Sequence, residues 1–288
     1  MAESQSIANY AGALKQHYTN ERIENMVYKD NPFLAMVSKY EQFGGQNLKL
    51  PIKWGNPQGR SAVFAMAQGN KYASSISAFL LTRQQDYSLA SINNEVLEAS
   101  KGNANAFMEA ATTEIDGAIE SASRSLAISL FGDGSGALGQ VLSGTGTATT
   151  SVTLKQIDDV TNFEVGMTIN FNANKTGNST TLVPAGGITG SVISAVDRDT
   201  GVITMASGVT TTDDYIYQIG DYDEKVSGLE AWVPESAPSS AAFFSVDRSV
   251  DPTRLGGIRF DASSLPLEEG LIGAASRAAR EGGKPDVC

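Results

Sequence analysis

The chain has 288 residues, 41% of them hydrophobic, and a formal charge of −11, which excludes wholesale disorder and leaves room for one large domain or two smaller ones. A single cysteine, Cys288, excludes an internal disulfide and a cysteine-based zinc site, and a single histidine, His17, excludes a histidine cluster around a metal. There is no run of about eighteen uncharged apolar residues, and Met1 to Tyr10 lacks the basic start and apolar stretch of a secretory signal, so a soluble, cytoplasmically made protein is expected.

The charge is opposite in sign to the footprint of a protein that grips nucleic acid. It is also uneven: residues 1–60 carry seven Lys/Arg against five Asp/Glu, and residues 131–225 carry four against eleven. If any part faces a polyanion it is the N-terminal arm, and the acidic middle faces solvent.

In residues 20–40, Ile23, Met26 and Val27 fall at helical spacing, and Asn31-Pro32 interrupts before Phe33, Leu34, Met36 and Val37, predicting two short helical pieces. From Gly44 to Ile92, Leu48, Leu50, Ile52 and Trp54 alternate with polar residues or proline, and Tyr87, Leu89 and Ser91 alternate on the far side. Between these flanks the stretch from Gly55 to Ser77 is rich in Gly, Ala, Ser and Asn, so the region reads as a long two-stranded excursion with a loose tip.

The strongest helical pattern covers residues 105–130, where Phe107, Ala111, Ile115, Ala118, Ala122, Leu126 and Leu130 recur every three or four residues and Gly132 stands as the expected C-cap. Composition then shifts to Thr, Val, Ile, Gly and Asn from Gly139 to about Tyr222, with short alternations such as 167–171 and 202–205, predicting a small antiparallel barrel or sandwich. Gly228 to Trp232, a Pro/Ser linker and Phe243 to Phe260 follow. A last helix is expected with Ser264 as N-cap, Glu268 and Glu269 in its first turn, and Leu267, Leu271, Ala274, Ala275 and Ala278 on one face.

The sequence offers little chemistry. Gly134-Ser135-Gly136-Ala137-Leu138-Gly139 fits a dinucleotide-binding pattern, but that site needs a strand before it and a helix after it, whereas here a helix precedes and strands follow; a flexible glycine hinge is the better reading. Asp197-Arg198-Asp199-Thr200-Gly201 opens like a calcium loop, lacks the closing ligands, and reads as a hairpin turn. Asp213, Asp214, Asp221, Asp223 and Glu224 read as a solvated rim, and the sequons at Asn174 and Asn178 as a polar loop tip. No catalytic constellation, cofactor site or metal site is expected.

Glu21-Arg22-Ile23-Glu24-Asn25, Lys29-Asp30-Asn31-Pro32-Phe33, the strand excursion, the long helix ending in Leu130-Phe131-Gly132-Asp133-Gly134, and a second helix followed by Gly282-Gly283-Lys284-Pro285-Asp286 together resemble the major capsid proteins of tailed bacteriophages with the Hong Kong 97 type of fold. The resemblance implies an α+β subunit with an N-terminal arm over 1–45 and an E-loop over 46–92. It further implies a spine helix and the first part of the peripheral domain over 93–139, an inserted β-domain over 140–224, and a return to the peripheral domain with the last helix over 225–288.

Its implied function is a virion shell assembled from hexamers and pentamers of the chain, enclosing DNA without reading its sequence, with scaffolding, portal or decoration proteins as further partners and no membrane. Trp54, Val63, Phe64, Phe79, Leu80 and Leu81 are too apolar for a free loop and are the expected intersubunit contacts, buried only by another molecule. The family can crosslink an E-loop lysine to an asparagine, but no partner pattern accompanies Lys71. The family also continues past Lys-Pro-Asp into an axial domain, so the sequence is incomplete or that part is supplied otherwise. Two alternatives stay open: a cellular compartment shell of the encapsulin kind, and a β-domain binding or adhesin module on a helical stalk.

Overall fold

A computed structural model describes residues 47–91, 104–142, 149–177, 182, 190–209, 211, 213–262 and 264–281. The architecture is α+β, and every strand pairing among these residues is antiparallel. The chain divides into two compact units, 1–38 with 85–128 and 39–84 with 129–288. The expected arm over 1–45, with its helical pieces and His17, lies outside the described residues.

β1 (Asn47–Gly55) and β2 (Ser75–Thr82) form a two-stranded ribbon. The far strand is therefore not the Tyr87–Ser91 alternation that the sequence suggested. Asn47 lies opposite Thr82, so β1 offers no partner to residues 83–91, and Tyr87 and Leu89 stand exposed without a ladder. The stretch between the strands is also more ordered than a loose tip. It holds the helix α1 (Phe64–Gly69), and Gln58 and Tyr72 exchange backbone bonds of 3.1 and 3.0 Å across its neck.

The helix α2 (Ala104–Phe131) has 28 residues, as its Ala-rich periodic sequence favours. Its side chains are described from Glu114 onward, and there the expected apolar stripe is only partly covered, since Ile115 and Leu126 are exposed. Residues of the same unit run beside it, Ser88 Oγ donating to Ala118 O at 2.9 Å and Ser125 Oγ to Asp86 Oδ2 at 2.8 Å. After the helix the left-handed conformation falls at Gly134 (φ 93°) and Gly136 (φ 80°), not at Gly132. Gly136 is no flexible hinge: a Cβ there would lie 2.2 Å from Asp221 O, so only glycine lets the two chain segments cross.

Six strands follow: β3 (Ala137–Gln140), β4 (Thr149–Thr153), β5 (Thr168–Asn172), β6 (Ser191–Asp197), β7 (Val202–Val209) and β8 (Tyr215–Gln218), with a 3-10 turn at Ile157–Asn162. Their order is β3-β8-β5-β6-β7-β4. A bridge between Val141 and Leu154, with Leu142 N donating to Thr153 O and Lys155 N to Gln140 O at 2.8 Å each, joins the two edges and closes the sheet into a small barrel. Inward positions at period two supply Val152, Ile169, Phe171, Ile193, Ile203, Met205 and Ile216 to one core, with Phe163 from the 3-10 turn's end. The first and last strands are neighbours, so the chain enters and leaves the barrel at one place. The turn at 197–201 is a hairpin between β6 and β7, with Gly201 at φ 67° and Asp197 accepting from Asp199 N and Thr200 N.

The chain then forms α3 (Leu229–Trp232), a minimal hairpin of β9 (Ala242–Phe243) and β10 (Val246–Asp247), α4 (Pro252–Gly256) and α5 (Leu267–Arg280). The N-cap of α5 is Pro266, not Ser264, and no side chain caps it. Of the predicted face of α5, Ala274, Ala275 and Ala278 are half-buried, but Leu267 and Leu271 are exposed, and the packed side continues through Gly270 and Gly273 instead. A Cβ on Gly273 would sit 2.4 Å from Phe260, so the ring occupies the space that the glycines leave.

Candidate functional site

The ribbon is a two-faced object. In register, Leu48 with Leu81 and Leu50 with Phe79 share one face, whereas Lys49 with Leu80, Pro51 with Ala78 and Lys53 with Ile76 share the other. The part of the first face made by Ile52, Trp54, Phe79 and Leu81 is held by the chain's own C-terminal segment, and Leu50 stays exposed. Phe79, 5% exposed, meets Trp232 edge-on at 5.2 Å and Phe243 at 6.4 Å, and Trp232 stacks on Phe244 at 5.7 Å.

Arg248 lies 3.8 Å above the Phe243 ring and donates through Nη1 to Ala231 O at 2.8 Å, bracing the cluster from behind. The turn of the β9–β10 hairpin holds Phe244 at φ 45° and Ser245 at φ 70°, a left-handed pair that matches the twist of a two-residue hairpin but strains a bulky side chain. That turn aims Phe244 O at Leu80 N, 2.9 Å away. Arg254 Nη1 donates to Trp54 O at 2.8 Å and fixes the other strand.

This geometry sorts the six expected contact residues. Val63, Phe64 and Leu80 are exposed, with Phe64 at 82% on the helix at the tip. Phe79 is covered within its own chain, and Trp54 and Leu81 pack half-buried against the same cluster, so their burial does not need another molecule. Sequence reasoning missed this because the covering aromatics lie some 150 positions downstream. It also missed Met66, Tyr72 and Ile76, all exposed; continuing the period of two across from Lys53 would have found Ile76.

No family model, curated protein or solved structure matches this chain. Among the described residues no group of three His, Cys, Asp or Glu is placed to hold a metal, and no helix is long and apolar enough to cross a membrane.

A second ordered polar site lies where the barrel meets the segment after α2. Lys175 Nζ reaches Asp133 Oδ2 and Glu230 Oε1, each at 2.9 Å, and Asp223 Oδ2 accepts from Gly177 N at 2.7 Å. The Asn174 sequon lies in the exposed run of bends after β5, tied down by Lys175; that at Asn178 lies outside the described residues. Burial pushes the Asp133 carboxyl up, but the bonds from Ser135 and Lys175 outweigh it and hold it below its ordinary value. Burial likewise pulls Lys175 down, and its two carboxylates more than restore it.

Tyr217, its phenol pushed up by burial, stays a donor to Lys175 O at 3.1 Å. Beside it opens a cleft of about 230 Å³ lined by Asn170, Tyr217, Tyr222 and Glu224, where the buried Asn170 Oδ1 has no hydrogen-bond partner among the described residues. The cleft can take a water or a small donor. Nothing in this arrangement pairs a nucleophile with a base.

Proposed function

We propose that this chain is a structural shell subunit, a tailed-phage major capsid protein of the Hong Kong 97 type carrying an inserted β-domain, and that it is not an enzyme. The observation that carries the reading is the ribbon: one face anchored by Trp232, Phe243 and Phe244, the other face and the tip presenting Ile76, Leu80, Val63, Phe64 and Met66 to solvent. A two-stranded ribbon with an uncovered apolar side is marginal alone and is stabilised when a second subunit covers it. At roughly 25 cal/mol per Å², covering about 400 Å² would contribute on the order of 10 kcal/mol before association costs.

The order of parts adds support: ribbon, 28-residue helix, closed barrel entered and left at one place, and a final helix. On this reading the ribbon is the E-loop, α2 the spine helix, and the barrel an addition that decorates the shell or braces neighbours. The shell would enclose DNA and use copies of the chain as hexamers and pentamers.

Electron microscopy of the purified chain tests this, with closed shells or capsomer rings expected. Monomers at every concentration, with Phe64→Ser indistinguishable from the parent, would contradict it.

A further inference from the structure

We infer that the outward face of the ribbon docks on a second copy of this chain, at the acidic end of that copy's barrel around Ile157. The inference deepens the shell reading by naming what the ribbon meets, and the pairwise contact can be measured without a shell.

Charge carries the argument. Between residues 47 and 85 the chain has five basic residues, Lys49, Lys53, Arg60, Lys71 and Arg83, and no Asp or Glu, in a protein whose net charge is −11. Lys49 and Lys53 lie on the face that points away from the aromatic anchor, directly across from Leu80 and Ile76, which makes an apolar pair framed by cations. Neither lysine makes an ion pair among the described residues.

The barrel offers the same pattern with the sign reversed. Residues 131–225 carry eleven acidic residues against four basic ones. At one barrel end the 3-10 turn and the β6–β7 hairpin touch, since a Cβ on Gly201 would lie 3.2 Å from Ile157 Cγ1 and Leu154 N donates to Gly201 O at 2.9 Å. There Ile157 is exposed, with Asp158 beside it and Asp197 and Asp199 in the adjoining turn also exposed. The one cation of that turn, Arg198, points back at Phe163 O at 3.5 Å. Burial, and then the neighbouring Asp158 charge, push the Asp159 carboxyl up, against the pull of Lys175. An apolar centre framed by carboxylates thus faces an apolar centre framed by lysines, an arrangement that steers encounter and fixes register.

Nucleic acid is the other polyanion such a face could meet. It suits this surface less well, because Ile76, Leu80 and Phe64 interleave with the cations and the rest of the chain repels phosphate.

The test uses the full chain and follows self-association by sedimentation at low and high salt. The variants are K49E/K53E, D158K/D199K and all four changes together, each checked for folding by circular dichroism. All four side chains are exposed, so folding should persist. Association of the parent should weaken with salt, each paired variant should lose about tenfold or more at low salt, and the fourfold chain should recover most of it. Paired variants that associate like the parent, or a fourfold chain no better than either pair, would overturn the inference. So would retention on double-stranded DNA that K49E/K53E abolishes while self-association is unchanged. The two readings fail separately: shells that form unchanged from K49E/K53E sink only this inference, and salt-dependent pairing that never yields shells sinks only the shell reading.

Discussion

Four of the five residues of β5 are buried, whereas none of the nine residues of β1 is. Both strands alternate and both lie in antiparallel ladders, so the difference is not one of local propensity. β5 has a neighbour on each side in a sheet closed by the Val141–Leu154 bridge, and its outward Asn170 and Asn172 are covered as well. β1 has one neighbour, and only its Ile52 and Trp54 pack against the aromatic cluster. The barrel therefore carries its stability within itself, and the ribbon borrows half of its stability from the C-terminal segment and leaves half open.

Substitutions can break that contrast. The largest effect is expected in the barrel, where Phe171→Ala removes a fully buried ring and should cost about 3–5 kcal/mol in denaturant unfolding, without altering the fluorescence of Trp54 and Trp232 beside the ribbon. Phe79→Ala should cost about 3 kcal/mol and do the reverse, changing that tryptophan signal while the barrel core stays cooperative. A loss of barrel cooperativity in Phe79→Ala would show that the two regions are one folding unit.

Much of this contrast was legible in the sequence. The period of two in 48–54 and 202–205, the periodic helix and the change of composition after Gly132 each follow from a local rule, and each corresponds to an element in place. What was not legible depends on contacts between distant residues. The far strand of the ribbon was misplaced because Phe79-Leu80-Leu81 reads as an unbroken apolar run until Phe244 shows which face it must cover. On α5 the alanines of the expected face are half-buried, but its two leucines are not, because Gly270 and Gly273 look like gaps in a stripe until Ala262 and Phe260 are found against them. The Lys175 clamp gave no signal at all, since its partners Asp133 and Glu230 lie on either side of the barrel in sequence.

That clamp gives a smaller prediction. Its groups are partly exposed and screened, so Lys175→Met should cost only about 0.5–1 kcal/mol. Because the folded Asp133 pKa is lowered, its contribution is present above the ordinary carboxylate value of about 4 and is lost as pH falls through the folded value. Lys175 is raised, so its share persists through neutral pH and fades only as pH rises through its folded value. A stability profile of Lys175→Met that still falls as steeply as the parent's below pH 4 would remove Asp133 from that role.

The smallest effect on stability, within about 0.5 kcal/mol, is expected for Phe64→Ser, because the ring is 82% exposed. Its association should nevertheless weaken, which separates folding from assembly at one residue.

The claim that another subunit covers the open side of the ribbon is tested most directly by hydrogen exchange at the amides of 56–82, compared between dilute subunit and assembled particle. Amides of the tip around α1 should exchange quickly in the subunit and slow by orders of magnitude on assembly, with the barrel strands protected in both. A tip already protected in the isolated subunit, or equally fast in the particle, would contradict it.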